Sequence, residues 1–248
     1  MAYKKRDRNL YDTKSKVPFK LSRTRLENFI NCQRCFYLDR RLGVDQPPGF
    51  PFNLNSAVDH LLKKEFDLHR AKNEKHPLMK HYKVDAVPYQ NSNLDQWRDN
   101  FTGVQFLHAP TNFLVFGAVD DIWINPQDEL IVVDYKATSK DGPISIDAEW
   151  QNSYKRQMEV YQWLLRQNGF KVNNTGYFVY VNGKRDAKAF DGKLEFDINL
   201  IPYTGDDSWV EDVLLEAKKC LESKHIPKAS PDCDYCNYRL AAAKVEKQ

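Results

Sequence analysis

What the sequence has little of narrows it first. No apolar run approaches the roughly 20 residues that span a bilayer. The opening MAYKKRDRNLYDTKSK places no apolar stretch behind its positive charges. Neither a membrane span nor a secretory signal is expected, and the expected location is cytoplasmic. There is no internal repeat and no low-complexity segment. The 248 residues suffice for one substantial core or two small ones. Cysteine is sparse, five in all, and in a cytoplasmic chain five thiols argue against a disulfide framework and for metal or core roles. Excess charge of either sign is small as well: the net charge of +3 is low for a dedicated nucleic-acid-binding domain.

That small excess is unevenly spread. Residues 1–25 carry nine Lys or Arg and two Asp, about +7, and the remainder is about −4. A basic arm on a mildly acidic body fits a polyanionic partner; a solvated tail is the alternative. Residues 1–20 are expected to form a flexible basic arm.

Periodicity and turn chemistry suggest the elements. Ser22 can cap a helix from about Arg23 to Arg40, and Pro47-Pro48-Gly49 breaks the chain. A second helix is expected from about Asn55 to Arg70, and residues 72–110 read as polar and irregular. Asn112 to Ile124 reads as a strand that continues or turns at Asp120-Asp121. Asn125 to Asp128 is a turn, and Leu130 to Lys136 is a short β-branched strand suited to a sheet centre. A long helix is expected over Asp147 to Asn168, stopping at Gly169. Strands follow over Thr175–Val181 and Ala189–Ile198, then a helix over Asp206–Ser223. The sum is a mixed α/β fold with helices packed on a sheet.

The segment GAVDDIWINPQDELIVVDYKATSK carries the most chemistry. Its two strands read as an antiparallel hairpin, the first ending in Asp120-Asp121 and the second in Asp134-Tyr135-Lys136. Alternation puts Asp134 and Lys136 on one face, Val133 and Tyr135 on the other. Charge at the edge of an apolar core costs several kcal/mol unless it is paired or metal-bound. Phosphodiester hydrolysis gives such a set a purpose: carboxylates hold a hard divalent cation, and a lysine offsets charge developing at the reacting phosphate. The alternative is a simple Asp–Lys ion pair at a strand end. On the helix from Asp147, Trp150, Tyr154, Gln157, Tyr161, Leu164 and Asn168 form one stripe. Gln157 and Tyr161 are one turn apart, so their polar ends can face one site; a satisfied core glutamine is the alternative.

Together, G-x-x-D (Gly117, Asp120), D-x-K (Asp134, Lys136) and Q-x-x-x-Y (Gln157, Tyr161) resemble the PD-(D/E)XK nuclease superfamily. The likeness is nearest to its RecB-like branch, which includes the AddB nuclease domain and CRISPR-associated adaptation nucleases. It covers about Leu21 to Arg239. The resemblance implies a restriction-endonuclease-like fold, a mixed central sheet flanked by helices, as a single nuclease domain over residues 21–240. It implies Mg or Mn as cofactor and DNA as substrate and partner. Asp120 and Asp134 would be metal ligands, Lys136 the catalytic lysine, and Gln157 and Tyr161 would line the site. The family's upstream metal position is usually histidine. In NSAVDHLLKKEFD the apolar face reads Val58, Leu61, Leu62, Phe66 and Leu68, with His60 almost opposite. Asp59, flanking that face, is expected at the histidine position, and Glu65, in its middle, is the buried second candidate.

Cys32-x-x-Cys35 and Cys233-x-x-Cys236 can wrap one metal centre that closes nearly the whole chain. Relatives in the RecB-like branch carry an iron–sulfur cluster on one early and three late cysteines. The two-and-two arrangement here departs from that and keeps zinc open beside an iron–sulfur cluster. Cys220, with Val213 and Ala217, reads as core. The expected activity is a metal-dependent exodeoxyribonuclease in repair, recombination or defence, with a separate helicase or repair or defence protein as partner. A non-catalytic DNA-binding or scaffold protein and an RNase are the rivals.

Overall fold

The computed structural model describes residues 5–49 and 51–247. The first four residues of the expected arm lie outside the described residues. Its strands are β1 (Phe19–Ser22), β2 (Val87–Pro88), β3 (Val104–His108), β4 (Phe113–Gly117), β5 (Asp121–Ile124), β6 (Leu130–Thr138), β7 (Thr175–Gly183) and β8 (Phe196–Thr204). Its helices are α1 (Arg23–Asn31), α2 (Gln33–Arg40), α3 (Asn53–Lys72), α4 (Pro77–His81), α5 (Leu94–Arg98), α6 (Asn152–Gln167), α7 (Val210–Glu222) and α8 (Asp234–Val245). No helix among the described residues is long and apolar enough to cross a membrane. The chain packs as two compact units, one from residues 1–50, 105–116 and 208–248, the other from residues 51–104 and 117–207.

The first unit carries a three-stranded sheet in the order β1-β4-β3, with β1 parallel to β4. Ser22 ends β1 and caps α1, its hydroxyl accepting from the Arg25 N–H at 3.3 Å. The single helix expected over Arg23–Arg40 is two helices. Cys32 takes an extended backbone (φ −160°, ψ 106°), closing α1 through its N–H to the Asn28 carbonyl and opening α2. Both helices pack against α7; Leu26, Phe29 and Phe36 are buried, as are Leu214, Ala217 and Leu221. The arm, over its described part, does not stand off from this unit. Tyr11 is buried, donates its N–H to the Arg40 carbonyl at 2.7 Å and meets Phe19 edge-on at 5.4 Å. Arg6 pairs with Asp45. Helix α8 was not expected from the sequence pattern.

The second unit carries a five-stranded sheet in the order β2-β5-β6-β7-β8. β5 and β6 are antiparallel, β6 and β7 parallel, β7 and β8 antiparallel. β6 is the central strand, as its β-branched run suggested. On one face, Val133 and Tyr135 share a core with Trp123, Val179 and, from α3, Leu62 and Phe66. Phe66 stacks on Trp123 at 5.4 Å; each such side chain contributes about 1.5–3 kcal/mol by leaving water. α6 also packs on β6.

The strand expected over Asn112–Ile124 is β4 and β5, interrupted at residues 118–120 and placed in different sheets. The strand expected over Ala189–Ile198 is displaced to β8. Asp191 (φ 51°) and Gly192 (φ 69°) turn the chain inside the expected span. Pro202 is tolerated in β8 because β8 is an edge strand. The stretch read as irregular, 72–110, holds α4, β2, α5 and β3.

Candidate active site

Asp120 precedes β5, and its carboxylate accepts the Tyr135 N–H of β6 at 2.9 Å. That one hydrogen bond sets Asp120 beside the peptide that separates Asp134 from Lys136. Asp134 is fully buried, and its carboxylate is ion-paired with the Lys136 ammonium. The same ammonium reaches Gln157 Oε1 at 3.3 Å and lies 4.5 Å above the Tyr154 ring. Gln157 Nε2 donates on to the Tyr161 hydroxyl at 3.0 Å. One face of β6 and one stripe of α6 therefore build a continuous polar chain from Asp134 to Tyr161. Burial, with the Tyr180 and Asp134 charges, pushes the Tyr154 hydroxyl above its usual range, so it stays a neutral donor.

From α3, Asp59 joins this group through Lys63, a residue that no sequence motif singled out. Lys63 Nζ lies 2.8 Å from Asp59 and 3.4 Å from Asp120. Burial works against the Lys63 charge, but Asp120 and Asp59 outweigh it and raise its pKa. Burial and the Asp120 charge raise that of Asp59. The available signal for Lys63 was its spacing of four from Asp59. A cavity of about 120 Å³ opens between these elements, lined by Asn55, Asp59, Tyr135, Lys136 and Tyr154 among others. Asp59, Asp120 and Asp134 do not form a tight ligand cluster among the described residues. Two ammonium groups, Lys63 and Lys136, supply the countercharge there.

Glu65 does not join the group. It was expected to be buried, yet its side chain is 53% exposed and bonds His76 Nε2 at 2.9 Å. The buried stripe of α3 is Leu62, Phe66 and Arg70, while Leu61 and Leu68 are exposed. With Leu61 and Leu68 outside the core, α3 is turned so that Glu65 faces away from it. His60 is exposed.

The first unit holds a separate centre. Cys32, Cys35, Cys233 and Cys236 are all buried, and their sulfur atoms all lie within 4.8 Å of one another. Cys35 Sγ is 3.6 Å from both Cys233 Sγ and Cys236 Sγ. Burial opposes ionisation of Cys32, but hydrogen bonds from the Ser230 and Cys35 backbone outweigh it and bring its pKa down to about 6. Burial drives Cys35 and Cys236 upward, and the neighbouring Cys32 charge adds to it. Cys32, Cys35 and Cys236 can therefore ionise together only beside a cation. Cys220 is buried apart from this cluster, its thiol pushed up to about 11 by burial.

The mixed α/β scaffold thus presents two acidic residues and a lysine at its central strand, with a polar helix stripe over them. The family model of the PD-(D/E)XK nuclease superfamily matches residues 53–241, and the chain belongs to that superfamily. Membership implies a nuclease, a hydrolase of a class that uses divalent metals. Among solved structures, "Crystal structure of SSO0001" aligns over 92% of this chain and 87% of that one, at 15% identity and a TM-score of 0.42, too slight a likeness to bear on function. No curated protein matches the chain.

Proposed function

We propose that this protein is a divalent-cation-dependent exodeoxyribonuclease of the RecB-like branch, acting on DNA in repair, recombination or defence. The observation that carries this reading is the junction at β6, where Asp120 binds the peptide between Asp134 and Lys136 and Lys136 reaches Gln157. The donor set fits a hard cation, because Asp59, Asp120 and Asp134 offer only carboxylate oxygens. Bound there, magnesium or manganese would supply the Lewis acidity that polarises a phosphoryl oxygen. Lys136 holds its positive charge where negative charge develops on the phosphate. Gln157, held in turn by Tyr161, fixes the Lys136 ammonium, and Tyr154 shields one side of it from water. A separate helicase or repair or defence protein is the further proposed partner.

The test is cleavage of end-labelled single- and double-stranded DNA, and of RNA, with Mg or Mn. Asp134→Ala and Lys136→Ala should each lower DNA cleavage by at least about 100-fold while DNA binding persists. Unchanged cleavage by either variant sinks the assignment. Cleavage confined to RNA, or binding without cleavage by the parent protein, replaces it with the corresponding rival.

A further inference from the structure

We propose that the four-cysteine centre holds a single tetrahedral metal ion, zinc in class, and not an iron–sulfur cluster. The decisive observation is the sulfur spacing. Four thiolates around one zinc, with bonds of about 2.3 Å, stand about 3.8 Å apart along the edges of the tetrahedron. Here Cys35 Sγ lies 3.6 Å from two of its partners, and all four ligand atoms fall within 4.8 Å of one another. That is the span of one ion's coordination shell. A four-iron cluster places each thiolate on a different iron, with the whole inorganic core between the sulfurs. These four sulfurs pack against each other as one buried group, with Ala229 as their apolar neighbour, at the separations of one ion's shell.

Backbone geometry supports a shared, charge-compensated metal centre. The two C-x-x-C segments are built alike. Cys32 and Cys233 are the N-cap residues of α2 and α8, both with extended backbone, and Cys35 and Cys236 stand three residues on, in the first turn. Two helix N-termini thus converge on the sulfur quartet. Four thiolates and one divalent cation leave two negative charges, and paired helix N-termini offset charge of that sign. Two equivalent ligand pairs suit a symmetric single-ion site.

The zinc assignment is independent of the proposed nuclease reaction, and its test reads no activity. The full-length protein is produced in cells supplied with both iron and zinc, purified without oxygen, and analysed for metals and acid-labile sulfide. The expected result is one zinc per chain, no labile sulfide and a colourless solution. Replacing the ion with cobalt(II) should give the ligand-field bands of a tetrahedral thiolate site, reduced in Cys233→Ser. Iron with matching labile sulfide and a brown colour overturns the proposal. So does a metal-free protein with four free or disulfide-bonded cysteines. The metal and sulfide contents are measured on the parent protein, so they decide between zinc and a cluster even where the serine variant folds poorly.

Discussion

Asp121 has no solvent exposure and accepts hydrogen bonds from the Ile122 N–H at 2.8 Å, the Tyr135 hydroxyl at 2.9 Å and the Arg98 guanidinium at 3.0 Å, with Arg70 as a further ion-pair partner. Its neighbour Asp120 meets Lys63 and the Tyr135 N–H instead. Two adjacent residues of one chemical type thus divide into a scaffold and a site. Asp121→Ala should cost about 3–5 kcal/mol, because it leaves two buried guanidinium groups with only the half-exposed Asp67 as a shared carboxylate. Urea denaturation would measure it, and a loss within error would show the network to be dispensable. His76 offers a pH test. Its Nδ1 accepts the Leu78 N–H at 3.1 Å, its Nε2 faces Glu65, and its ring stacks on Phe66 at 4.1 Å. Burial holds its pKa below the usual 6.5 despite Glu65. A depressed histidine contributes stability above its unfolded value, and that contribution is lost as pH falls through the folded one. The parent should therefore lose stability below about pH 6.5 more steeply than His76→Gln; parallel pH profiles would contradict this.

At the scale of elements, the sheet of the second unit depends on close approach where β6, β7 and α6 meet. Gly176 is the second residue of β7, and a Cβ there would sit 2.8 Å from the Val132 carbonyl oxygen and against the Met158 sulfur. Gly176→Ala should destabilise by about 1–3 kcal/mol through overpacking, read as a lower thermal midpoint with the fold retained. An unchanged midpoint would mean that β6 and β7 yield easily. The strong elements were legible because their patterns are local. β6 shows a β-branched run, α6 a polar–aromatic stripe and Gly169, and the turn at Asn125 an Asx residue whose side chain accepts the Gln127 and Glu129 N–H groups. α1 and α2 could not be separated by periodicity, since the break at Cys32 is one extended residue inside an unbroken apolar pattern. β8 was misplaced because an edge strand tolerates proline and exposed residues, which blunts its alternation.

At the scale of the whole molecule, the chain is not divided in sequence order. The first unit draws on three separate stretches, and its cysteine centre joins Cys35 to residues far along the chain, 198 positions to Cys233 and 201 to Cys236. Closing such a loop is worth on the order of 5 kcal/mol by chain entropy. Removing the ion proposed for this centre with a strong chelator should therefore strip hydrogen-exchange protection from α2 and α8 first. β6, in the other unit, should keep its protection longer. Equal loss in both units would show that the centre stabilises the chain as one cooperative body.

The sequence alone determined the chemistry on offer: the spacing of Asp120, Asp134 and Lys136, the Gln157–Tyr161 turn, and two C-x-x-C pairs. Each rests on strand alternation, helical repeat or ligand spacing, which act over a few residues. Only the tertiary structure decided which groups meet. It turned α3 so that Asp59 and Lys63, not Glu65, approach Asp120. It sent Asp121 into an arginine pair and brought four sulfurs to within one ion's reach. Those outcomes depend on which apolar side chains win burial and which charges find partners once water is excluded, and neither is written in any short window of the chain.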